Sequence, residues 1–255
     1  MNASEVLEYL INLSEIKAEQ TVDTIKAGNG SKPVERAAVC FIATPKVIKA
    51  AHEWGADLLI THEPTYHDHF DDFDGSEIEV EKRTLIESTG MTIFRFHDHA
   101  HTAVPDMIHY GFLKALGLGY EYYDKRFCTL ETPLTPLELA KLIEEKIGIK
   151  HVRITGNRDF KATKLVLFLG ACGAVNHIPL KEGKAEIAIC GETCEWKCCE
   201  FVRDAAELDH NMAMLVIGHE GGERDGMKLL AERIKDELGI DTKYIESEEV
   251  YTYTD

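Results

Sequence analysis

The chain is short of positive charge: 28 lysines and arginines stand against 45 acidic residues, a formal charge of -17 over 255 residues. Such a balance repels phosphate backbones, which argues against non-specific nucleic-acid binding and against attachment to anionic membranes. Long apolar runs are missing too, and nothing approaches the roughly 18 consecutive apolar residues of a membrane span. The segment Met1 to Ile16 carries Glu5, Glu8 and Glu15 and reads as a first amphipathic helix of a cytoplasmic protein, not as a signal core. The seven cysteines form no paired C-x-x-C knuckles. Cys190, Cys194 and Cys198 are spaced by four, which suits one face of a helix, and with Cys199 they are expected to be reduced, partly buried thiols. At this length a core forms without disulfides. No Lys/Arg-rich, glycine-looped cradle for a triphosphate is present either.

What is present is a succession of strand and helix signals. Ala37 to Ile42 is a continuous apolar run of the sort buried on both faces in a parallel sheet. Thr44-Pro45 then supplies an N-cap and a proline at the first helical position, and Gly55 stops the helix. A second strand, Leu58 to Ile60, runs into Thr61-His62-Glu63-Pro64, at the carboxyl edge where open α/β sheets place their ligands. The pattern repeats with a helix over 77–88, a strand over 91–96 and the cluster His97-Asp98-His99-Ala100-His101. Helices are expected over 105–116 and 135–147, and strands over 152–155, 165–169, 187–189 and 214–217, before a last helix to about Leu238. Ala185 to Glu192 faintly echoes Ala56 to Glu63, which suggests two similar α/β lobes, 1–130 and 131–255, with mixed or parallel sheets flanked by helices. The acidic run Asp68 to Glu81 reads as a solvated loop.

Placement singles out the histidines. His62, His67, His69, His97, His99 and His101 fall within forty residues and flank strand ends. A buried divalent cation needs several polar ligands converging from rigid elements, and imidazole with carboxylate suits zinc, iron or manganese. His219 and Glu223, four apart at the start of the last helix, come to one side of it. They can share a metal pair, or Glu223 can cap the helix while His219 merely ends the strand.

Together these blocks resemble the NGG-one interacting factor three family of dinuclear-metal-centre proteins, some of them known as type two GTP cyclohydrolases. The likeness covers nearly the whole chain and rests on Ala43-Thr44-Pro45, on Gly55 to Pro64, on the strand into His97 to His101 with Ala115 to Leu118 beyond, and on Gly218 to Arg224. Without a long insertion between about 130 and 155, the chain looks like the short, two-lobed form. The resemblance implies two divalent ions held by two adjacent histidines after the second strand, an aspartate after the next, and the final His and Glu, with the Glu bridging. Here the second histidine position holds Glu63 and the aspartate position holds His101, a reciprocal swap that keeps three imidazoles and two carboxylates. The implied ligands are His62, Glu63, His101, His219 and Glu223, with Asp98 and His97 as alternatives to His101. Trp196 stands where the family usually carries a histidine, and Glu192 is a candidate general acid or base.

Two metals about 3.5 to 4 Å apart activate a bridging water, so the resemblance implies a metal-dependent hydrolase of a small molecule, with His97 or His99 shuttling protons. A homo-oligomer, a hexamer by analogy, is expected. The competing readings are a non-catalytic metal-binding or regulatory interaction protein, and a thiol redox protein using Cys194 and Cys198.

Overall fold

The computed structural model describes residues 1–16, 20–124 and 126–254. The chain divides into two compact units, one made of Met1–Met107 with Gly226–Glu248, the other of Ile108–Asp225 with Glu249–Asp255. This division differs from the expected break at 130/131, and strand pairing explains the difference. Residues 120–124 and 127–134 form strands of the second unit's sheet, while the segment after Gly226 returns to pair in the sheet of the first.

Local chemistry sets the elements in chain order. Asn2 and Glu5 form a capping box on α1 (Ala3–Ile11). After β1 (Ile25–Ala27) and β2 (Arg36–Cys40), the Thr44 hydroxyl accepts from Val47 N at 3.2 Å, and Pro45 opens α2 (Pro45–Trp54). Gly55, at φ 83°, closes that helix in a conformation that a Cβ would strain. Then come β3 (Leu58–Thr61), α3 (Glu77–Thr89), β4 (Thr92–Arg95) and the short α4 (Asp98–Thr102). The chain continues through α5 (Met107–Leu116), β5 (Tyr120–Asp124) and β6 (Phe127–Leu134). A second capping box, Thr135 with Glu138, starts α6 (Pro136–Ile147). The remainder is β7 (Arg153–Gly156), β8 (Ala162–Phe168), α7 (Ile178–Lys181), β9 (Ile187–Cys190), a π-helical turn (Glu195–Cys199) running into α8 (Glu200–Glu207), β10 (Ala213–Val216), α9 (His219–Leu238) and β11 (Asp241–Tyr244).

In the first unit the sheet order is β1-β4-β3-β2-β11, with β4, β3, β2 and β11 parallel and β1 antiparallel on the edge. In the second it is β5-β6-β8-β9-β10-β7, with a parallel centre of β8, β9 and β10. The chain is therefore a mixed α/β protein of two sheets flanked by helices. The suspected echo falls on β3 and β9, each flanked on both sides by parallel strands. Leu59 and Ile93 in one core, and Val166 and Met214 in the other, are buried among helix residues. Each fully buried side chain of this kind stabilises by about 1.5–3 kcal/mol.

Two expectations need correction. The Cys190, Cys194, Cys198 series is not one helical face: Cys190 ends β9, and only Cys194 and Cys198 share a turn, through Cys198 N to Cys194 O. A strand end intervenes because apolar Ile187 to Ile189 is drawn into the sheet. All seven cysteines are free, and burial pushes the Cys40 and Cys128 thiols up to about 12. The acidic run is not simply solvated: Glu79 is buried and accepts from His67 N and Asp74 N, while Asp71 accepts from Thr65 N and Tyr66 N and pairs with Lys26 at 3.0 Å. These carboxylates fold the loop by taking up its backbone N–H groups. The polar cluster His97 to His101, which follows β4 as expected, makes up the N-cap and most of the short helix α4. Among the described residues, no helix is long and apolar enough to cross a membrane.

Candidate metal centre

In the first unit the site residues lie at the carboxyl edge of the parallel strands. His62 N and Glu63 N both donate to Phe41 O, which turns the chain sharply after β3. Phe96 N donates to Thr61 O, extending β4 by one pairing so that His97 emerges beside His62. His97 is the N-cap of α4, and His101 follows one turn later on the same side. The ring centroids are 4.7 Å apart for His62 and His97, 5.2 Å for His62 and His101, and 5.0 Å for His97 and His101. One nitrogen from each lies within 4.8 Å of the others.

Each of these rings turns Nδ1 toward an oxygen. His62 Nδ1 is 3.0 Å from Phe96 O, and because a carbonyl only accepts, Nδ1 carries the proton and the lone pair sits on Nε2. His97 Nδ1 is 3.0 Å from Asp98 Oδ1, and His101 Nδ1 is 3.6 Å from Asp106 Oδ2. Metal-ligating histidines are oriented in this way, with the second nitrogen held by a carboxylate or carbonyl. Burial, with a smaller contribution from His62 and His101, pushes His97 below its ordinary value against the opposing hydrogen bond from Asp98. The ring is thus neutral at pH 7, the form that ligates. Asp98, hydrogen-bonded to His97, Val22 N and Thr21, is held well below the usual carboxylate range.

Around this group, Glu63 Oε1 is 3.8 Å from His97 Nε2, and Glu63 Oε2 is 3.9 Å from Arg95 Nη2. Arg95 is buried and donates from Nε to His62 O at 2.9 Å and from Nη1 to His69 O at 2.5 Å. The His69 ring stands 6.1 Å from His97, whereas His67 faces Glu79. His99, an expected proton shuttle, is turned away from the three imidazoles: it is buried against Asp23, with Nδ1 2.6 Å from Oδ2. Asp98, an alternative ligand in the sequence reading, sits behind the His97 ring.

In the second unit His219 and Glu223 occupy the first turns of α9, with His219 Nε2 3.0 Å from Glu223 Oε2. His219 Nδ1 is 2.9 Å from Glu192 Oε1, just past β9. Glu192 therefore stands as an orienting partner of His219. Glycines let this end of the unit close up. A Cβ on Gly170 would lie 2.3 Å from Glu223 Oε1 and 3.1 Å from His219 Nε2, and one on Gly222 would meet Leu169 O at 2.2 Å. Trp196, in the π-helical turn, is 78% exposed.

Residues 1–250 match the family described as Duf34/NIF3 (NGG1p interacting factor 3). The chain belongs to this family. A relative, the "GTP cyclohydrolase 1 type 2 homolog" of Clostridium perfringens (strain 13 / Type A), is 23% identical over 98% of this chain and 97% of its own length. Among solved structures, a Bacillus cereus protein related to NIF3 superposes with a TM-score of 0.76 at 12% identity, covering 99% of each chain. A Thermus thermophilus protein gives 0.75 at 17% identity, over 98% of this chain and 100% of its own. At such identities the superpositions establish the NIF3 fold.

Sequence reasoning missed Asp23, Asp106 and Arg95, which touch or hold the histidines. Asp106 and Arg95 carried a weak signal, as charged residues next to a histidine cluster. Asp23 carried none, since its partners lie 74–76 positions away.

Proposed function

We propose that this NIF3-family chain is a dinuclear metal-binding protein and a metal-dependent, cyclohydrolase-like hydrolase of a small molecule. The supporting observation is that His62, His97, His101 and His219 all turn Nδ1 toward an oxygen, the arrangement of metal-ligating imidazoles. The proposed ligands, as the family resemblance implies, are His62, Glu63, His101, His219 and Glu223. Their nitrogen and oxygen donors suit two divalent ions of zinc, iron or manganese. Bound ions of this kind supply an activated water near neutral pH and polarise the electrophile.

The chain's own residues do the rest. Phe96 O and Asp98 orient His62 and His97 so that each ring offers Nε2, while Glu192 holds Nδ1 of His219, whose Nε2 faces Glu223. His97, neutral and 3.8 Å from Glu63 at Nε2, can ligate in place of His101 or take up a proton there, with Glu63 stabilising the resulting charge. The formal charge of -17 favours small neutral or cationic substrates over triphosphates. A cytoplasmic homo-oligomer, hexameric by family resemblance, completes the proposal.

The test is turnover of a panel of cyclic amidines, amides and phosphoesters by the metal-loaded protein, beside Glu223→Ala. Hydrolysis that disappears in the variant supports the hydrolase. Full metal content without turnover of any of them favours the non-catalytic, regulatory metal protein.

A further inference from the structure

The helical turn that bears His97 and His101 is too short to hold itself. Its N-cap, His97, makes no side-chain capping bond, and five residues leave most backbone N–H groups of the turn without an intrahelical acceptor. The acceptor comes from far away in sequence. Asp23, buried just before β1, takes His97 N at 2.6 Å and Asp98 N at 3.1 Å on Oδ1. On Oδ2 it takes His99 N at 2.9 Å and His99 Nδ1 at 2.6 Å. The contact is reciprocal, because Asp98 Oδ2 accepts from Thr21 Oγ1 at 2.9 Å and Val22 N at 3.1 Å, while Asp98 Oδ1 faces His97 Nδ1. Two carboxylates thus interlock residues 21–23 with 97–99: Asp23 fixes the backbone of the turn and Asp98 fixes the His97 ring. His99 is spent on the lock.

We propose that Asp23 is a positioning residue for the metal site: with His99 it clamps the turn so that His97 and His101 converge on His62. This inference rests on the metal-binding reading above. A carboxylate buried at four N–H groups costs its own desolvation and is worth keeping only where the backbone must not move, since ligands about 1 Å out of place lose affinity steeply.

The experiment measures zinc affinity of the full chain by competition with a chromophoric chelator, and the visible spectrum of the cobalt-loaded protein. Asp23→Asn is compared with Asp57→Asn as a control. Asp57 also accepts two backbone N–H groups, from Glu35 and Arg36, in the same unit but away from the histidines. Because Asp23→Asn can fail to fold, Thr21→Val, which removes one donor to Asp98, is measured as well. The expected result is a loss of about 10- to 100-fold in zinc affinity and an altered cobalt spectrum for Asp23→Asn, and a smaller loss for Thr21→Val, while Asp57→Asn binds as wild type. Unchanged affinity in both Asp23→Asn and Thr21→Val, or an equal loss in Asp57→Asn, overturns the clamp and leaves the metal site standing. A wild-type chain that binds neither ion overturns the metal reading and the clamp together.

Discussion

Glu192 Oε1 lies 2.9 Å from His219 Nδ1, so the carboxylate that the sequence offers as a candidate general acid or base is placed to hold a candidate ligand. Glu192→Gln keeps the shape and removes the charge. Metal affinity is expected to fall about 10- to 100-fold, with the circular dichroism of the wild type retained. Chelator competition measures this, and unchanged affinity would remove Glu192 from the site.

Gly170 leaves no room for a side chain beneath the same pair, since a Cβ there would sit 2.3 Å from Glu223 Oε1. Gly170→Ala is expected to destabilise the protein by about 1–3 kcal/mol in urea and to lower metal content, because Glu223 must shift to make room.

Arg95 is buried, with its guanidinium spread over His62 O, His69 O and the carboxylates of Glu63 and Asp71. Arg95→Met removes the cation and leaves buried carboxylates behind. The expected cost is about 3–5 kcal/mol in chemical denaturation, far above that of an exposed ion pair.

Glu138 offers a pH test away from the histidines. Its hydrogen bond to Lys161, and then that to Thr135 N, hold it down at about 2, against an ordinary value of 4.5. A depressed carboxylate stabilises fully above its unfolded value, and the stabilisation is lost as pH falls from about 4.5 through about 2. The difference in urea midpoint between wild type and Glu138→Gln is therefore expected to be larger at pH 7 than at pH 3.

Much of this architecture was legible in the sequence because its signals are local. Thr44-Pro45 and Gly55 bound α2, Thr135-Pro136 and Gly148 bound α6, and apolar runs mark β2, β3, β8, β9 and β10. The edge strands β1, β5, β7 and β11, and β6 beside β5, were less legible: β7 (Arg153–Gly156) falls within one residue of the expected 152–155, but the others lack a continuous apolar run and are defined by their partners. At the site, the spacing of four put His219 with Glu223, and the family resemblance singled out His62, Glu63 and His101. Asp23 could not be read, because nothing in its own neighbourhood announces partners 74–76 residues away, while Arg95 carried only the weak signal of a charge beside the histidines. His99 was misread for the complementary reason: a histidine in a cluster looks like its neighbours until burial and its Asp23 partner separate it.

The central claim, that these imidazoles and carboxylates hold metal, is tested most directly by elemental analysis of the purified chain beside His62→Ala, His219→Ala and Glu223→Ala. The account predicts about two divalent ions per wild-type chain and a loss in every variant. A wild-type chain without tightly bound metal, or a content indifferent to all three substitutions, would contradict it.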